Sequence, residues 1–326
     1  MQSVMKFENL GFEVVSDVVT TDKVVFLRAD FNVPISGGVI SDDSRILASM
    51  DTINYLISSG AKVLIGTHLG RPKGRFVEEF STKIIAEYLA RKLRCDVFFV
   101  PDCKGEEVKK AINKADYGDV IVLENLRFYA EEEECDLNFA KSLSEFANVY
   151  VNDAFSCSHR GHASILGVPL YIKPVAGFAF AREVWSIQSV LSGACIGERV
   201  AVVGGSKVST KIDVLKNMVK NVDILVVGGG MANTFLFADG CKIGSSLCEE
   251  GLADVVKEVY KNAEENGCRI VVPRSVVVAK EVRHDAEFRV IDVSEIEQHE
   301  MILDVAENFV NDLKPLIEKA GSVMWN

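Results

Sequence analysis

Basic residues are in the minority in this sequence of 326 residues. It holds 36 lysines and arginines against 47 aspartates and glutamates, which gives a formal net charge of -11 at pH 7. A protein that binds nucleic acid over a broad face needs a surplus of positive charge there, so this balance argues against that class of partner. It leaves room for a local basic pocket within an acidic protein.

Long apolar runs are also missing. No stretch reaches the roughly 18 apolar residues of a membrane-spanning helix, although 48% of the residues are hydrophobic. The opening stretch MQSVMKFENLGFEVV lacks the basic segment and apolar run of a secretory signal. We therefore expect a soluble, cytoplasmic protein with no membrane partner.

The cysteines lack the C-x-x-C spacing that marks zinc ribbons and thioredoxin-type redox sites. They are scattered through a long chain rather than concentrated in a small disulfide-rich domain, so we expect reduced thiols. Their positions are Cys95, Cys103, Cys135, Cys157, Cys195, Cys241, Cys248 and Cys268.

Short β-branched runs alternate with amphipathic stretches, which predicts βαβ units and parallel sheets. The predicted strands are 23–27, 62–65, 96–100, 120–123, 149–151, 200–203, 224–227, 269–272, 288–291 and 322–325. The predicted helices are 44–59, 82–94, 106–113, 138–147, 178–191, 209–220, 252–266 and 304–320. The acidic run 131–134 is interpreted as a solvated loop or helix start.

The length of the chain favours two domains. Two groups of strands and helices are separated by KPVAGFAFAREVWSIQSVLSG, which has a helical middle and is punctuated by Pro174, Gly177 and Gly193. We predict an α/β fold of two doubly wound, Rossmann-like parallel-sheet domains. Their bounds are 1–176 and 193–326, and a hinge helix at 177–192 joins them.

Polar residues follow four predicted strands of the first half, at the strand ends where ligands bind in parallel sheets. They are Arg28, Asp30 and Asn32 in VVFLRADFNVP, His68, Gly70 and Arg71 in LIGTHLGRPKG, Arg127 in VIVLENLRF, and Asn152, Asp153, His159, Arg160 and His162 in VNDAFSCSHRGHAS. One such loop alone is equally well explained by an Asp/Asn turn with an arginine ion pair. A lone histidine is more often a packed residue than a catalyst.

Five arginines on or near these loops make an anion pocket the better explanation. They are Arg28, Arg45, Arg71, Arg127 and Arg160. Gathered like charges repel unless an anion matches them, and guanidinium groups bind carboxylates and phosphates through paired hydrogen bonds. We therefore predict an anion pocket in the first half.

The second half carries two glycine loops between a strand and a helix. RVAVVGGSKVSTKIDVL contains Gly204, Gly205, Lys207 and Lys211, and VDILVVGGGMANTF contains the run 228–230. Neither has the Walker A or the G-x-G-x-x-G spacing, and each alone could be a tight turn. Glycines that let phosphate approach the backbone, next to paired lysines, favour a nucleotide phosphate site.

No Ser/His/Asp nucleophile system or zinc-protease motif is present: G-x-S-x-G and H-E-x-x-H are both absent, and there is no Asp/Glu-rich metal cage. Arginines, lysines and glycine loops without an evident base fit phosphoryl transfer, which depends on positioning and on neutralising spread negative charge.

The motifs RADFNVP, THLGRPKG, LENLRF, VNDAFSCSHRGHAS, PVAGF, GGSKVSTKIDVL, VDILVVGGGMANTF and SVMWN, taken in order, resemble the motif set of the phosphoglycerate kinase family. The resemblance runs from about residue 6 to residue 326. It implies reversible phosphoryl transfer between 1,3-bisphosphoglycerate and ADP, giving 3-phosphoglycerate and ATP with Mg²⁺ as cofactor. It also implies a monomer whose domains close about the hinge helix.

The resemblance assigns roles to particular residues. Glycerate binding is implied for Asp30, Asn32, Arg45, His68, Leu69, Gly70, Arg71, Arg127 and Arg160. Nucleotide binding is implied for Gly204, Gly205, Lys207, Lys211, Gly228, Gly229, Gly230 and Asn326. Arg45 and Lys211 are implied as the catalytic pair on opposite sides of the transferring phosphoryl group.

The sequence departs from the family in three places, the smallest being Gly205-Ser206-Lys207 where the family usually has Gly-Ala-Lys. After SVMWN the family continues with Gly-Pro and later a Gly-Gly-Gly-Asp-Thr loop that carries the expected metal ligand. This implies a truncated second domain, no metal ligand in this chain and little activity. In addition, Ala306-Glu307 stand where the family usually has Gly-Pro beside the adenine.

Two further classes of function remain for comparison. A non-catalytic protein that binds anions such as 3-phosphoglycerate stays open as an alternative. A nicotinamide dehydrogenase is disfavoured because the dinucleotide fingerprint is missing.

Overall fold

The computed structural model describes residues 10–191 and 197–326. The chain divides into two compact units, and the division falls between Trp185 and Ser186. It lies within a single helix, Phe178–Leu191, which runs from the first unit into the second. Gly193 and Cys195, which the sequence places at the start of the second domain, lie outside the described residues.

The first unit is built on a parallel sheet with helices between its strands. Its strands are β1 (Val24–Arg28), β2 (Ile35–Ser36), β3 (Val39–Ile40), β4 (Lys62–Gly66), β5 (Val97–Val100), β6 (Val120–Leu123), β7 (Val149–Asn152) and β8 (Pro174–Ala176). Its helices are α1 (Ser44–Ala48), α2 (Met50–Ser58), α3 (Lys83–Lys92), α4 (Glu106–Lys114), α5 (Ala130–Glu133), α6 (Leu137–Ser144) and the start of α7 (Phe178–Leu191).

Six strands form the sheet in the order β5-β6-β4-β1-β7-β8, with every pair parallel. Its central strands are apolar runs because helices cover both faces. Alternate residues of β1 enter opposite cores: Val25 and Leu27 pack on one face, and Phe26 packs with Tyr150 on the other. The short strands β2 and β3 pair as an antiparallel hairpin.

The second unit has two sheets. Its strands are β9 (Glu198–Val203), β10 (Ile224–Val227), β11 (Arg269–Val271), β12 (Ser275–Ala279), β13 (Phe288–Asp292), β14 (Met301–Val305) and β15 (Ala320–Trp325). Its helices after α7 are α8 (Ile212–Met218), α9 (Gly230–Ala238), α10 (Ala253–Glu265) and α11 (Glu307–Lys319). A parallel sheet has the order β11-β10-β9-β15, and a smaller antiparallel sheet has the order β13-β12-β14.

Short turns of helix complete the two units. They are the 3-10 turns Val15–Asp17, Glu78–Phe80, Leu126–Phe128, Phe155–Cys157, Val168–Leu170, Glu250–Leu252 and Val293–Glu295, and the π turn Ala163–Gly167.

The predicted α/β class is confirmed, and each of the ten predicted strands is present with bounds that shift by at most two residues. Three details were wrong. Predicted helix 44–59 is interrupted at Ser49, and the helix predicted from residue 209 begins at Ile212. Asp304 and Val305, assigned to a helix, end the antiparallel strand β14, which the structure pairs with β12.

Among the described residues, no helix combines the length and the apolar character needed to cross a bilayer. The seven cysteines that the structure describes are free thiols.

Candidate active site

The loops predicted to bind an anion meet at one edge of the first sheet. Arg28 at the end of β1 pairs in register with Gly66 at the end of β4 and with Asn152 at the end of β7. Strand β6 lies on the other side of β4 and leads into the turn that carries Arg127. Because all four strands are parallel, their carboxyl ends and the loops that follow them share this edge.

Asp30 connects several loops of this edge. Its Oδ2 accepts hydrogen bonds from Arg45 Nη1 at 2.7 Å and from Ser156 Oγ at 2.5 Å. Its Oδ1 accepts from the Asn32 amide at 3.2 Å and lies 4.0 Å from His68 Nδ1. Asp30 therefore joins the loops after β1, β4 and β7 to helix α1.

Gly70 links the loop after β4 to its neighbours through its backbone. Its amide donates to Asn32 Oδ1 at 2.8 Å, and its carbonyl accepts from Arg127 Nη1 at 3.0 Å. Gly70 has a φ of +63°, and an added Cβ would lie 2.6 Å from the Phe80 ring. Glycine is thus required both by the backbone conformation and by the close approach of the ring.

Several buried guanidinium atoms at this edge have no hydrogen-bond partner. In the described part of the chain, Arg127 Nε and Nη2 and Arg160 Nε are such atoms. Glu133 Oε1 lies 3.4 Å from Arg127 Nε, which is an ion-pair distance without hydrogen-bond geometry. Burial lowers the pKa of Arg127, as expected for a cation removed from water.

The two buried histidines are held neutral. Burial, reinforced by the charges of Arg28, Arg127 and Arg160, lowers the pKa of His68 far below its ordinary value. The same causes lower the pKa of His162 to about 4, and its Nδ1 has no hydrogen-bond partner among the described residues. The dependence of both rings on three arginines shows that the positive charges are concentrated here.

The Arg28 side chain is held inside the protein by hydrogen bonds and is not exposed to solvent. Its fully buried guanidinium donates to Ser164 Oγ at 2.7 Å and to the Ala29 carbonyl at 2.5 Å, and it lies 3.9 Å from Glu132 Oε1. Glu132 in turn accepts from the Ser164 amide at 2.9 Å and from its hydroxyl at 2.5 Å. The run 131–134 was interpreted as a solvated loop or helix start; residues 131–133 do lie in the short helix α5, but Glu132 is fully buried and not solvated.

The remaining residues predicted for the first site differ in exposure. Leu69 is buried in the hydrophobic core of the first unit, whereas Arg71 is exposed. Ser156 was not predicted, although it lies within VNDAFSCSHRGHAS, because a serine in a polar loop gives no signal of its own. The structure reveals it through its hydrogen bond to Asp30.

Asp153 connects the loop after β7 to the first turn of α7. Its Oδ1 accepts from the amides of Ala179 at 2.9 Å and Phe180 at 3.2 Å. Burial raises the pKa of this carboxyl group. A Cβ at Gly177 would lie 2.1 Å from the same oxygen, so the helix can approach only with glycine there.

In the second unit, the two glycine loops lie against each other after the adjoining strands β9 and β10. Gly229 has a φ of +64°, and a Cβ there would lie 2.9 Å from the Gly205 carbonyl oxygen. The amide of Met231 donates to the same oxygen at 2.8 Å. The loops therefore pack backbone to backbone, which only glycine permits at Gly229.

Lys211 and Asn326 lie next to these two glycine loops. Lys211 Nζ donates to the Gly204 carbonyl at 2.8 Å and to Asn326 Oδ1. The Gly204 amide donates to the Asn326 carbonyl at 2.9 Å, next to the pairing of β15 with β9. Lys207 is exposed and makes no such contact with the glycine loops.

A cavity of about 500 Å³ opens beside these loops. It is lined by Gly204, Gly228, Gly229, Asp304, Asn326 and the apolar side chains of Phe309, Leu313, Ile317 and Trp325, among others. Its mainly apolar wall next to glycine backbone suits a flat ring with a phosphate tail. Ala306 is buried at the start of α11 with an ordinary φ of -82°, so the backbone conformation there does not require glycine.

One group of described side chains has the composition and spacing of a metal site. It consists of Asp30, His68 and Cys157, whose ligating atoms all lie within 4.8 Å of one another. The group belongs to the first unit.

Comparison with known proteins identifies the family. A family model described as phosphoglycerate kinase matches residues 15–326. The phosphoglycerate kinase of Maricaulis maris is 43% identical over 314 residues, which cover 96% of this chain and 77% of that protein. The enzyme of Moorella thermoacetica is 42% identical over 312 residues, 95% of this chain and 79% of that protein.

Solved structures give the same result. Phosphoglycerate kinase from Coxiella burnetii superposes with a TM-score of 0.80 at 38% identity, over 97% of this chain and 79% of that one. The enzyme from Pyrococcus horikoshii gives 0.80 at 30% identity, over 96% and 80%. Since sequence and structure agree over nearly the whole chain, it belongs to the phosphoglycerate kinase family.

Proposed function

We propose that the first unit binds 3-phosphoglycerate at the edge of its sheet and that the second unit binds ATP or ADP at its glycine loops. Family membership makes the chain a phosphotransferase that uses a carboxyl group as acceptor. The residue assignments are the part proposed, and two features of the structure support them.

The observation that carries the glycerate assignment is the set of unpartnered donors on Arg127 and Arg160. A buried donor without a partner costs about 1 to 3 kcal/mol, and more when it is charged. A carboxylate or phosphate would satisfy several such donors at once through charge-assisted hydrogen bonds. Asp30, Asn32 and His68 adjoin them and suit the hydroxyl and carboxylate oxygens of a glycerate.

The nucleotide assignment rests on the glycine loops of the second unit and the residues next to them. Backbone of the two glycine loops, with Lys211 beside Gly204, offers donors and positive charge to phosphates. The apolar cavity next to Gly228 and Gly229 suits the base. We also propose Lys207 as a phosphate contact, because its exposed side chain can change rotamer to reach a ligand.

The chemistry needs positioning more than proton transfer. In the direction that consumes ATP, a carboxylate oxygen of 3-phosphoglycerate attacks the terminal phosphorus, and the bond from phosphorus to ADP breaks. The attacking carboxylate is already ionised at pH 7, so no general base is required. We propose Arg45 and Lys211 as the residues that neutralise charge on the transferring group.

Mg²⁺ is proposed as the companion of the nucleotide, where it would neutralise phosphate charge when bound. Asp304 and Glu318 line the cavity of the second unit. However, no group of three carboxylate, histidine or cysteine ligands occurs in the described residues of that unit. We therefore assign no protein ligand to Mg²⁺ and no step to it.

The glycerate assignment is tested by titration calorimetry with 3-phosphoglycerate on Arg127→Met. This change keeps an apolar stem of similar length but removes the donors, and we expect affinity to fall at least tenfold. Arg91→Met, at an exposed arginine of α3, is the matched control and should bind as the unaltered chain does. Equal affinity in both variants would refute the assignment.

The nucleotide assignment is tested separately with Lys211→Met and the exposed control Lys220→Met, using ADP as the titrant. We expect a loss of ADP affinity in the first variant alone, with glycerate affinity unchanged in both. A coupled assay with 3-phosphoglycerate and ATP then measures the reaction itself.

We further propose a cytoplasmic location and a monomeric state. The free thiols of the seven described cysteines support a reducing compartment. Each of the two proposed substrate sites consists of residues of a single chain, so neither requires a second copy of the chain.

A further inference from the structure

Three side chains of different chemistry lie close together, and one of them is Asp30 of the ion pair with Arg45. Asp30, His68 and Cys157 are 9%, 2% and 3% exposed, and their ligating atoms all lie within 4.8 Å of one another. They come from loops after three different strands, so their meeting is a product of the fold and not of a local sequence motif.

We propose that Asp30, His68 and Cys157 form a binding site for a thiophilic divalent cation of the Zn²⁺ or Cd²⁺ type, and that its occupation competes with the glycerate substrate. Carboxylate, imidazole and thiolate are the three ligand types that Zn²⁺ uses in proteins, and three protein ligands with an open fourth position are a common arrangement.

The distances allow the site to form with small movements. With bonds of about 2.0 to 2.3 Å in tetrahedral geometry, ligand atoms stand about 3.5 Å apart. Each pair of ligand atoms, at most 4.8 Å apart, must therefore close by about 1.3 Å or less. That range is available to a short aspartate, an imidazole ring and a cysteine by small side-chain rotations.

The hydrogen bonds leave the ligating atoms available. Arg45 and Ser156 bind Asp30 Oδ2, whereas Oδ1 has only the 3.2 Å contact with the Asn32 amide. His68 Nδ1 lies 3.5 Å from Arg28 Nη2, which is at the upper limit of hydrogen-bond length. A metal at Nδ1 therefore displaces only a weak donor from the imidazole lone pair.

The surrounding arginines decide which cation can bind. Arg28, Arg127 and Arg160 repel any cation, so binding needs a ligand set that brings negative charge. When the metal binds, the Cys157 thiol loses its proton to solvent, and carboxylate and thiolate together match the charge of a divalent ion. A hard ion such as Mg²⁺ gains only the Asp30 oxygen and is not expected to bind.

The competition follows from a shared residue and rests on the proposed function. Asp30 is proposed to contact the glycerate, and a metal on Oδ1 occupies the same space. Metal binding itself does not rest on that proposal, because it is read directly from the metal–sulfur bond.

The test titrates the full chain with Cd²⁺ and follows the ultraviolet charge-transfer absorption of the cadmium–thiolate bond. Cys157→Ser removes the sulfur with little change of shape, and Cys95→Ser, at a half-buried thiol outside the group, is the matched control. Loss of a group that merely hydrogen-bonds a ligand already costs about 10- to 100-fold in metal affinity. We expect a loss at least that large in Cys157→Ser and none in Cys95→Ser.

Two outcomes overturn the proposal in distinct ways. Equal Cd²⁺ affinity and absorption in the unaltered chain and Cys157→Ser, with circular dichroism showing both folded, removes the metal site. If Cys157→Ser loses the Cd²⁺ site but saturating 3-phosphoglycerate does not change the Cd²⁺ affinity of the unaltered chain, metal and glycerate do not compete. If the metal-free chain binds no 3-phosphoglycerate, the proposed function fails while the cadmium result still stands.

Discussion

Asp30 Oδ2 accepts a 2.7 Å hydrogen bond from Arg45 Nη1, and this ion pair joins the loop after β1 to helix α1. The Arg45 side chain is half exposed, so it can leave Asp30 for a stronger anion at little cost. The ion pair therefore keeps the Arg45 guanidinium next to the proposed glycerate pocket and leaves it able to bind the substrate.

The proposed role of Arg45 predicts a specific kinetic pattern for Arg45→Ala. Removing one preorganised charge partner of a transition state costs about 100- to 1000-fold in turnover. We expect kcat in the coupled assay to fall by that factor relative to the unaltered chain, while ADP affinity by calorimetry changes less than twofold. Arg91→Ala is the control, and unchanged kcat in Arg45→Ala would refute a catalytic role.

Acid should weaken the first unit through His162. Burial lowers the pKa of His162 to about 4 in the folded chain, whereas the unfolded value is about 6.5. Between these values the unfolded state binds more protons, so the contribution of His162 to the free energy of unfolding falls as pH drops through that window. It is constant above pH 6.5 and below pH 4.

His162→Gln lacks this titration. We expect its loss of stability from pH 7 to pH 5, measured by urea unfolding, to be smaller than that of the unaltered chain by about 1 to 2 kcal/mol. His284→Gln, at an exposed histidine of the second unit, should retain the original pH dependence. An identical pH dependence in His162→Gln would contradict the assigned pKa.

Asp153 is predicted to stabilise the start of α7. Its carboxylate satisfies two amides of the first turn, and Asp153→Ala leaves both without a side-chain partner. We expect a loss of about 2 kcal/mol in the free energy of unfolding, measured with denaturant. Asp153→Asn keeps one acceptor oxygen and the size of the side chain, so it should be closer to the unaltered chain. Equal losses in both variants would show that charge, not capping, is the important term.

The buried parallel strands could be predicted from the sequence because each is a short run of apolar residues between helical patterns. Strands β12 (SVVVA) and β14 (MILDV) were missed although both contain apolar residues. Their antiparallel sheet covers only a small core around Val276 and Val278, and β14 is only partly buried. Pairing with a partner strand, which is not encoded locally, determines such an element.

The glycine loops and the arginines could likewise be located from their sequence patterns, but the supporting contacts could not. Glu132 lies in an acidic run and was expected in a solvated loop or helix start. It is instead buried, and it accepts hydrogen bonds from Ser164, 32 positions away. Gly177 looked like ordinary punctuation before a helix. Glycine is needed at this position because the Asp153 carboxylate occupies the space that a Cβ would take. Long-range contacts of this kind leave no periodic trace in a sequence.

The two glycines Gly228 and Gly229 provide a matched pair for the second unit. Gly229 has φ +64° and ψ -161°, a backbone region that is nearly restricted to glycine, and a Cβ there would approach the Gly205 carbonyl oxygen to 2.9 Å. A Cβ at Gly228 would meet no atom within 4 Å. Alanine should therefore be tolerated at Gly228 and strained at Gly229.

We expect Gly229→Ala to lose about 1 to 3 kcal/mol of stability, because the backbone strain adds to the collision with Gly205. It should also weaken ADP binding, since relief of the collision separates the two loops that are proposed to hold the phosphates. Gly228→Ala should unfold at the same denaturant concentration as the unaltered chain. If Gly228→Ala and Gly229→Ala are equally stable but Gly229→Ala binds ADP less tightly, backbone strain is not the reason for glycine at position 229. Close approach of the phosphate then becomes the better explanation.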